Sequence, residues 1–154
     1  MSFTQKILAP VDFSPSSALA LDATAILARQ FGASVVLLYV YDPSLLSPLY
    51  VIPGASAVIE ATPRAPAFEE TARRELEQLR DQRLSGIAGV EMVVLQHPSA
   101  AEGICEAAGK TGADLIVLST HGRTGLAHML IGSVAERVVR HAPCPVLTLR
   151  SRAK

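Results

Sequence analysis

Several residue types are scarce or missing in this chain of 154 residues, and each scarcity narrows what the protein does. Tryptophan is absent, and only two cysteines occur, Cys105 and Cys144. Two cysteines cannot build a disulfide framework and their separation matches no zinc-ligand spacing, so both are expected as plain buried thiols. Charge of neither sign is in excess, since 14 basic side chains stand against 14 acidic ones. Nucleic-acid binding rests on a basic footprint that is lacking here, and no nucleic-acid partner is expected. No apolar run approaches the roughly 20 residues that span a bilayer, so no membrane partner is expected either. Too few residues precede the strand-like run Lys6–Val11 for a targeting segment, which makes the cytoplasm the expected compartment. Lysine is confined to Lys6, Lys110 and Lys154, none of them in a glycine-rich loop, which removes the phosphate-gripping lysine of a P-loop.

What is present is a folding chain of one domain, residues 1–154, with 49% apolar residues to build a core. Short apolar runs alternate with amphipathic stretches, the pattern of repeated βα units and therefore of an α/β fold with a parallel sheet. The strands fall at 7–11, 35–41, 90–95, 115–118 and 146–149. Helix one starts at Pro15 behind Ser14 as N-cap, carries Ala18, Leu21, Ala25 and Ala28 on one face and stops at Gly32. Helix two spans about 67–84, with Phe68, Ala72, Leu76 and Leu79 inward and the pairs Glu69–Arg73 and Glu70–Arg74 on the solvated side. Helix three runs from Ser99 to about Thr111. Helix four begins near Ser133, shows Ala135, Val138, Val139 and Ala142 at helical spacing, and is broken by Pro143-Cys144-Pro145. Residues 42–66 hold five prolines, show no clear period and exceed an ordinary connection, so they read as a long loop, a lid or an interaction segment.

Helices wound on both faces of such a sheet leave the ligand crevice at the carboxyl ends of the strands. Two strand ends carry unusual residues. Pro10-Val11-Asp12-Phe13-Ser14 puts a carboxylate just beyond strand one. Ser119-Thr120-His121-Gly122-Arg123-Thr124-Gly125 follows strand four, and Gly132-Ser133 opens helix four. Glycines let a backbone approach a ligand, hydroxyls donate, and the free amides of a helix start hold an anion without a lysine. The same residues also make ordinary turns and caps: Ser133-Val134-Ala135-Glu136 matches a capping box, and Asp12 suits a turn before helix one. Spacing alone leaves both readings open.

Taken together, Pro10-Val11-Asp12-Phe13-Ser14, then Ser119-Thr120-His121-Gly122 with nine residues to Gly132-Ser133, then His141-Ala142-Pro143-Cys144-Pro145-Val146 closely resemble the universal stress protein family over essentially the whole chain. The resemblance implies a Rossmann-like, doubly wound sheet of five parallel strands in the order 3-2-1-4-5, with Asp12 facing the loop after strand four. It also implies ATP, with magnesium or manganese, in that crevice. Gly122, Gly132 and Ser133 match the family's phosphate contacts, with Ser119, His121, Arg123 and Val134 beside them. Asp12 matches the carboxylate that reaches the ribose or a phosphate-bound metal, Val11 and Val40 match neighbours of the adenine, and Pro10 is counted with the site. The chain departs from the nucleotide-binding pattern at Ser119, where the family carries its first glycine, and at Gln96-His97-Pro98, where many relatives have glycine before the proline. Two functions follow as alternatives, an ATP-binding stress-response module or a dimeric scaffold that binds no nucleotide.

No catalytic set is recognised. Strand three ends Val94-Leu95-Gln96, without the aspartate of a phosphoacceptor domain, and His121 polarising a water would support slow hydrolysis at most. In the implied strand order the segment Val146, Leu147, Thr148 and Leu149 is an apolar sheet edge. Such an edge invites pairing, so a homodimer through it is expected.

Overall fold

A computed structural model describes residues 4–46, 64–121 and 131–150. The elements are β1 (Lys6–Pro10), α1 (Pro15–Phe31), β2 (Ser34–Tyr41), a short 3-10 turn (Pro43–Leu46), α2 (Arg64–Arg83), β3 (Val90–Gln96), α3 (Ala100–Thr111), β4 (Leu115–Ser119), α4 (Ser133–His141) and β5 (Val146–Leu149). All strand pairs are parallel and the order is β3-β2-β1-β4-β5, as the resemblance implies.

Strand parity decides the layers. Ile7, Ala9 and Val11, then Val35, Leu37, Tyr39 and Tyr41, then Leu115 and Val117 pack with Leu21, Ala25 and Ala28 of α1 and Ala72 and Leu76 of α2. Their neighbours Leu8, Val36, Leu38, Ile116 and Leu118 pack with α3 and α4 on the opposite face. A strand covered on both sides needs apolar residues at every position, which is why the central strands read as unbroken apolar runs. The crossover helices change face between α2 and α3, and the strand order reverses between β1 and β4. The two chains leaving those strands diverge there and leave a crevice.

Local signals set the helix ends. The Ser14 side chain accepts the Ser17 amide at 3.2 Å with Pro15 in the first turn, and α1 ends at Gly32 with φ 66°. Ser99 caps α3 through the Glu102 amide, and Gly112 closes it at φ 66°.

Four expectations need correction. Glu69 does not pair with Arg73. It accepts the Tyr41 hydroxyl at 2.6 Å, while Glu70 and Arg74 do pair. Burial of Tyr41 against α2 brings a phenol within reach, and that bond wins over an exposed ion pair. In α4, Ala135 and Val138 are buried but Val139 is exposed, because this short helix meets the sheet along a narrow stripe. The two cysteines are free but only partly buried, and desolvation raises both thiol pKa values. The long connection is shorter than read, since residues 43–46 form the 3-10 turn and α2 already starts at Arg64; residues 47–63 lie outside the described residues. Among the described residues no helix is long and apolar enough to cross a membrane.

Candidate functional site

The crevice at the reversal is built by two chain segments. The first leaves β1. Val11 extends the ladder by one bond to the Leu38 carbonyl at 2.8 Å, and Asp12 follows at the strand end. Its Oδ1 accepts the Ser14 amide at 3.0 Å, the local bond by which an aspartate folds a turn onto itself. Between them Phe13 has φ 62°, in the left-handed region.

The second segment leaves β4. The Ser119 hydroxyl donates to the His121 carbonyl at 2.8 Å, and the Thr120 hydroxyl meets His121 Nδ1 at 2.9 Å. The chain returns at Gly132, whose amide donates to the Thr120 carbonyl at 2.6 Å. A Cβ at position 132 would lie 2.9 Å from that same carbonyl oxygen, closer than side chains come. Gly132 therefore docks the start of α4 directly on the end of β4. The backbone that approaches closely here is the protein's own.

Gly132 is also the N-cap of α4, and no side chain caps it. The capping box does not form. Ser133 is already the first helical residue, and Glu136 pairs with Arg140 at 2.7 Å instead. The first bond of the helix runs from the Glu136 amide to the Gly132 carbonyl. Among the described residues, the amides of Ser133, Val134 and Ala135 have no acceptor. They form the positive pole of the helix.

A cavity of about 230 Å³ joins the two segments. Of the residues singled out from sequence, Pro10, Val11, Asp12, Val40, Ser119, Gly132, Ser133 and Val134 line it together. His121 does not line it; its ring is held at the Thr120 hydroxyl. Gly122 and Arg123 lie outside the described residues. Thr120, part of the strand end singled out from sequence, lines the cavity too, and sequence reasoning missed Ser17, Ala100, Ile104, Leu118 and Ala135. The alanines, Ile104 and Leu118 carry the same periodicity as core residues, so only the fold distinguishes a cavity wall from a core contact. The glycine at 103 was a usable signal. A Cβ there would lie 2.9 Å from Val40, so glycine lets α3 settle against the wall that Val40 and Ile104 share.

The wall thus combines an apolar surface (Val11, Val40, Ile104 and Leu118) with hydroxyls, one carboxylate and an uncapped helix start. Such a mixture accommodates a flat apolar group and an anion in one ligand. Among the described residues no three metal-ligating side chains come together. A cation here would draw on Asp12 and on oxygens brought by the ligand, the arrangement magnesium favours with phosphates.

Comparison with known proteins follows the same outline. The chain is 34% identical to universal stress protein MJ0531 of Methanocaldococcus jannaschii over 152 residues, which cover 97% of this chain and 84% of that protein. The solved structure of hypothetical protein MJ0577 superposes with a TM-score of 0.79 at 26% identity, covering all of both chains. Two more distant structures share the fold. One is a universal stress protein in complex with cAMP, with TM-score 0.67, 22% identity and coverage of 97% and 98%. The other is the Archaeoglobus fulgidus universal stress protein in complex with dAMP, with TM-score 0.60, 19% identity and coverage of 96% and 98%. The model of the universal stress protein family matches residues 4–150. With the family model spanning nearly its whole length and a 34% identical relative covering 97% of it, the chain belongs to the universal stress protein family.

Proposed function

We propose that this protein binds an adenine nucleotide, ATP with magnesium or manganese, in the crevice between β1 and β4, and serves as a stress-response binding or signalling module. One observation carries the reading: Ser133 and Val134, whose amides have no acceptor among the described residues, line the same cavity as Asp12. The helix start supplies the phosphate site, the apolar wall the base site, and Asp12 the contact to ribose or to a phosphate-bound metal. The two relatives solved with cAMP and dAMP hold ligands that share an adenine and a phosphate, which supports this class of ligand. Gly122 and Arg123 are assigned to the phosphates with Ser119 and the start of α4, whereas the Gly132 amide is taken by the Thr120 carbonyl and His121 stands outside the cavity wall.

The energies permit it. Three or four charge-assisted bonds contribute about 1.5–3 kcal/mol each. Ligand immobilisation opposes them by several kcal/mol. A micromolar complex needs about 8 kcal/mol net. A nucleophile-activating set is not part of the proposal, and ATP turnover is expected to be slow or nil. The remaining features of the reading are a cytoplasmic location and a homodimer formed through β5.

Isothermal titration of the protein with ATP, ADP, AMP and cAMP, each with and without magnesium, tests the proposal. Micromolar binding of at least one adenine nucleotide is expected. No heat with any of the four removes the nucleotide and leaves the alternative, a paired scaffold of the same fold.

A further inference from the structure

We propose that Phe13 is the positioning residue of the site: its ring, packed on the far face of the sheet, holds the backbone turn that aims Asp12 into the crevice. This rests on the nucleotide reading for its consequence, though not for its geometry. Val11 is fixed to β2 through the Leu38 carbonyl, and Ser14 is buried as the cap of α1. The chain has only Asp12 and Phe13 with which to pass from strand to helix. It does so with Phe13 at φ 62°, and among the described residues no other non-glycine has a positive φ. A bulky side chain in that region crowds its own backbone, so the conformation persists only where the surroundings over-determine it.

The surroundings are aromatic. The Phe13 ring lies 4.7 Å from that of buried Tyr39, tilted by 44°. Tyr39 is followed by Phe68 at 6.2 Å, and Phe68 by Tyr41 at 5.0 Å, so the anchor continues from β2 into α2. Phe13 packs against the core between the sheet and α1 and α2 and does not line the cavity. It therefore reaches a ligand only through its neighbours. The left-handed turn brings the Ser14 amide to Asp12 Oδ1 at 3.0 Å, which fixes the carboxylate of a residue that does line the cavity. Phenylalanine is the costly choice for the φ and the effective one for the anchor. A glycine would relieve the strain and release the turn.

The test is a double-mutant cycle read by calorimetric titration of the full chain with ATP and magnesium. Phe13→Tyr keeps the ring and is expected to bind within about twofold of the parent. Phe13→Ala removes the anchor and is expected to weaken binding about tenfold. Asp12→Asn weakens binding by its own route. In the double variant the alanine is expected to add nothing further, because it acts through the carboxylate. Additive losses, or full affinity in Phe13→Ala, overturn the proposal. Should thermal melting show Phe13→Ala unfolded, Phe13→Leu takes its place in the same cycle. Absence of binding in the parent would count against the nucleotide reading instead. The turn is then judged without ligand, from backbone carbon chemical shifts. A left-handed residue 13 in the parent and in Phe13→Tyr that is lost in Phe13→Ala supports the role of the ring, and a residue 13 that stays left-handed without the ring refutes it.

Discussion

Gly132 has an ordinary extended φ of −74°, so its need for glycine comes from space and not from backbone conformation. The Thr120 carbonyl occupies the place of a side chain. Gly132→Ala must move the start of α4 off the end of β4, and the three amides move with it. Overpacking of this kind costs about 1–3 kcal/mol of stability, visible as a lowered urea midpoint. Nucleotide affinity is expected to fall with it, at least tenfold by titration, whereas a larger residue such as valine mainly tests folding. The sequence marked this glycine correctly and for the wrong contact: a Gly-Ser pair before an amphipathic run does not reveal which backbone will come near. Ser133 shows the same gap. It fits a capping box by spacing, yet one residue of shift in the helix start leaves it uncapping, its amide without an acceptor among the described residues.

At the scale of elements, α2 is fastened to β2 by Tyr41 and Glu69. The hydrogen bond to Glu69, then burial, then the carboxylate's charge push the phenol up to about 12 from its ordinary 10. Because the folded state holds this proton more tightly than the unfolded chain, its contribution is complete below pH 10. It is lost as pH rises towards 12. Denaturant titrations of the parent at pH 9, 10 and 11 should therefore show a fall in stability that Tyr41→Phe lacks. At neutral pH the same variant should cost about 1.5–3 kcal/mol, the worth of a bond to a charged acceptor. The helices themselves were legible, since serine caps, closing glycines and apolar spacing are local properties. Their partners were not, because Glu69 can meet Arg73 or Tyr41 equally well on paper and only the packing of α2 on the sheet chooses.

At the scale of the molecule, the observed strand order puts β5 at the sheet edge, with Leu147 38% exposed. Edge strands left apolar are usually covered, and a two-fold pairing of two β5 strands would cover this one. Leu147→Lys is expected to convert a dimer to a monomer by light scattering; an unchanged mass would show that pairing lies elsewhere. The chain by itself determined the βα alternation, the ends of α1 and α3 and the doubly covered strands, because each follows from the local period of apolar residues and from turn chemistry. Its motifs carried the family and, through it, the strand order. Tertiary structure alone decided which walls close the crevice, that Gly132 serves β4, and that Phe13 bends backwards against Tyr39. Those depend on residues far apart in sequence meeting at one point, and no local pattern encodes such a meeting.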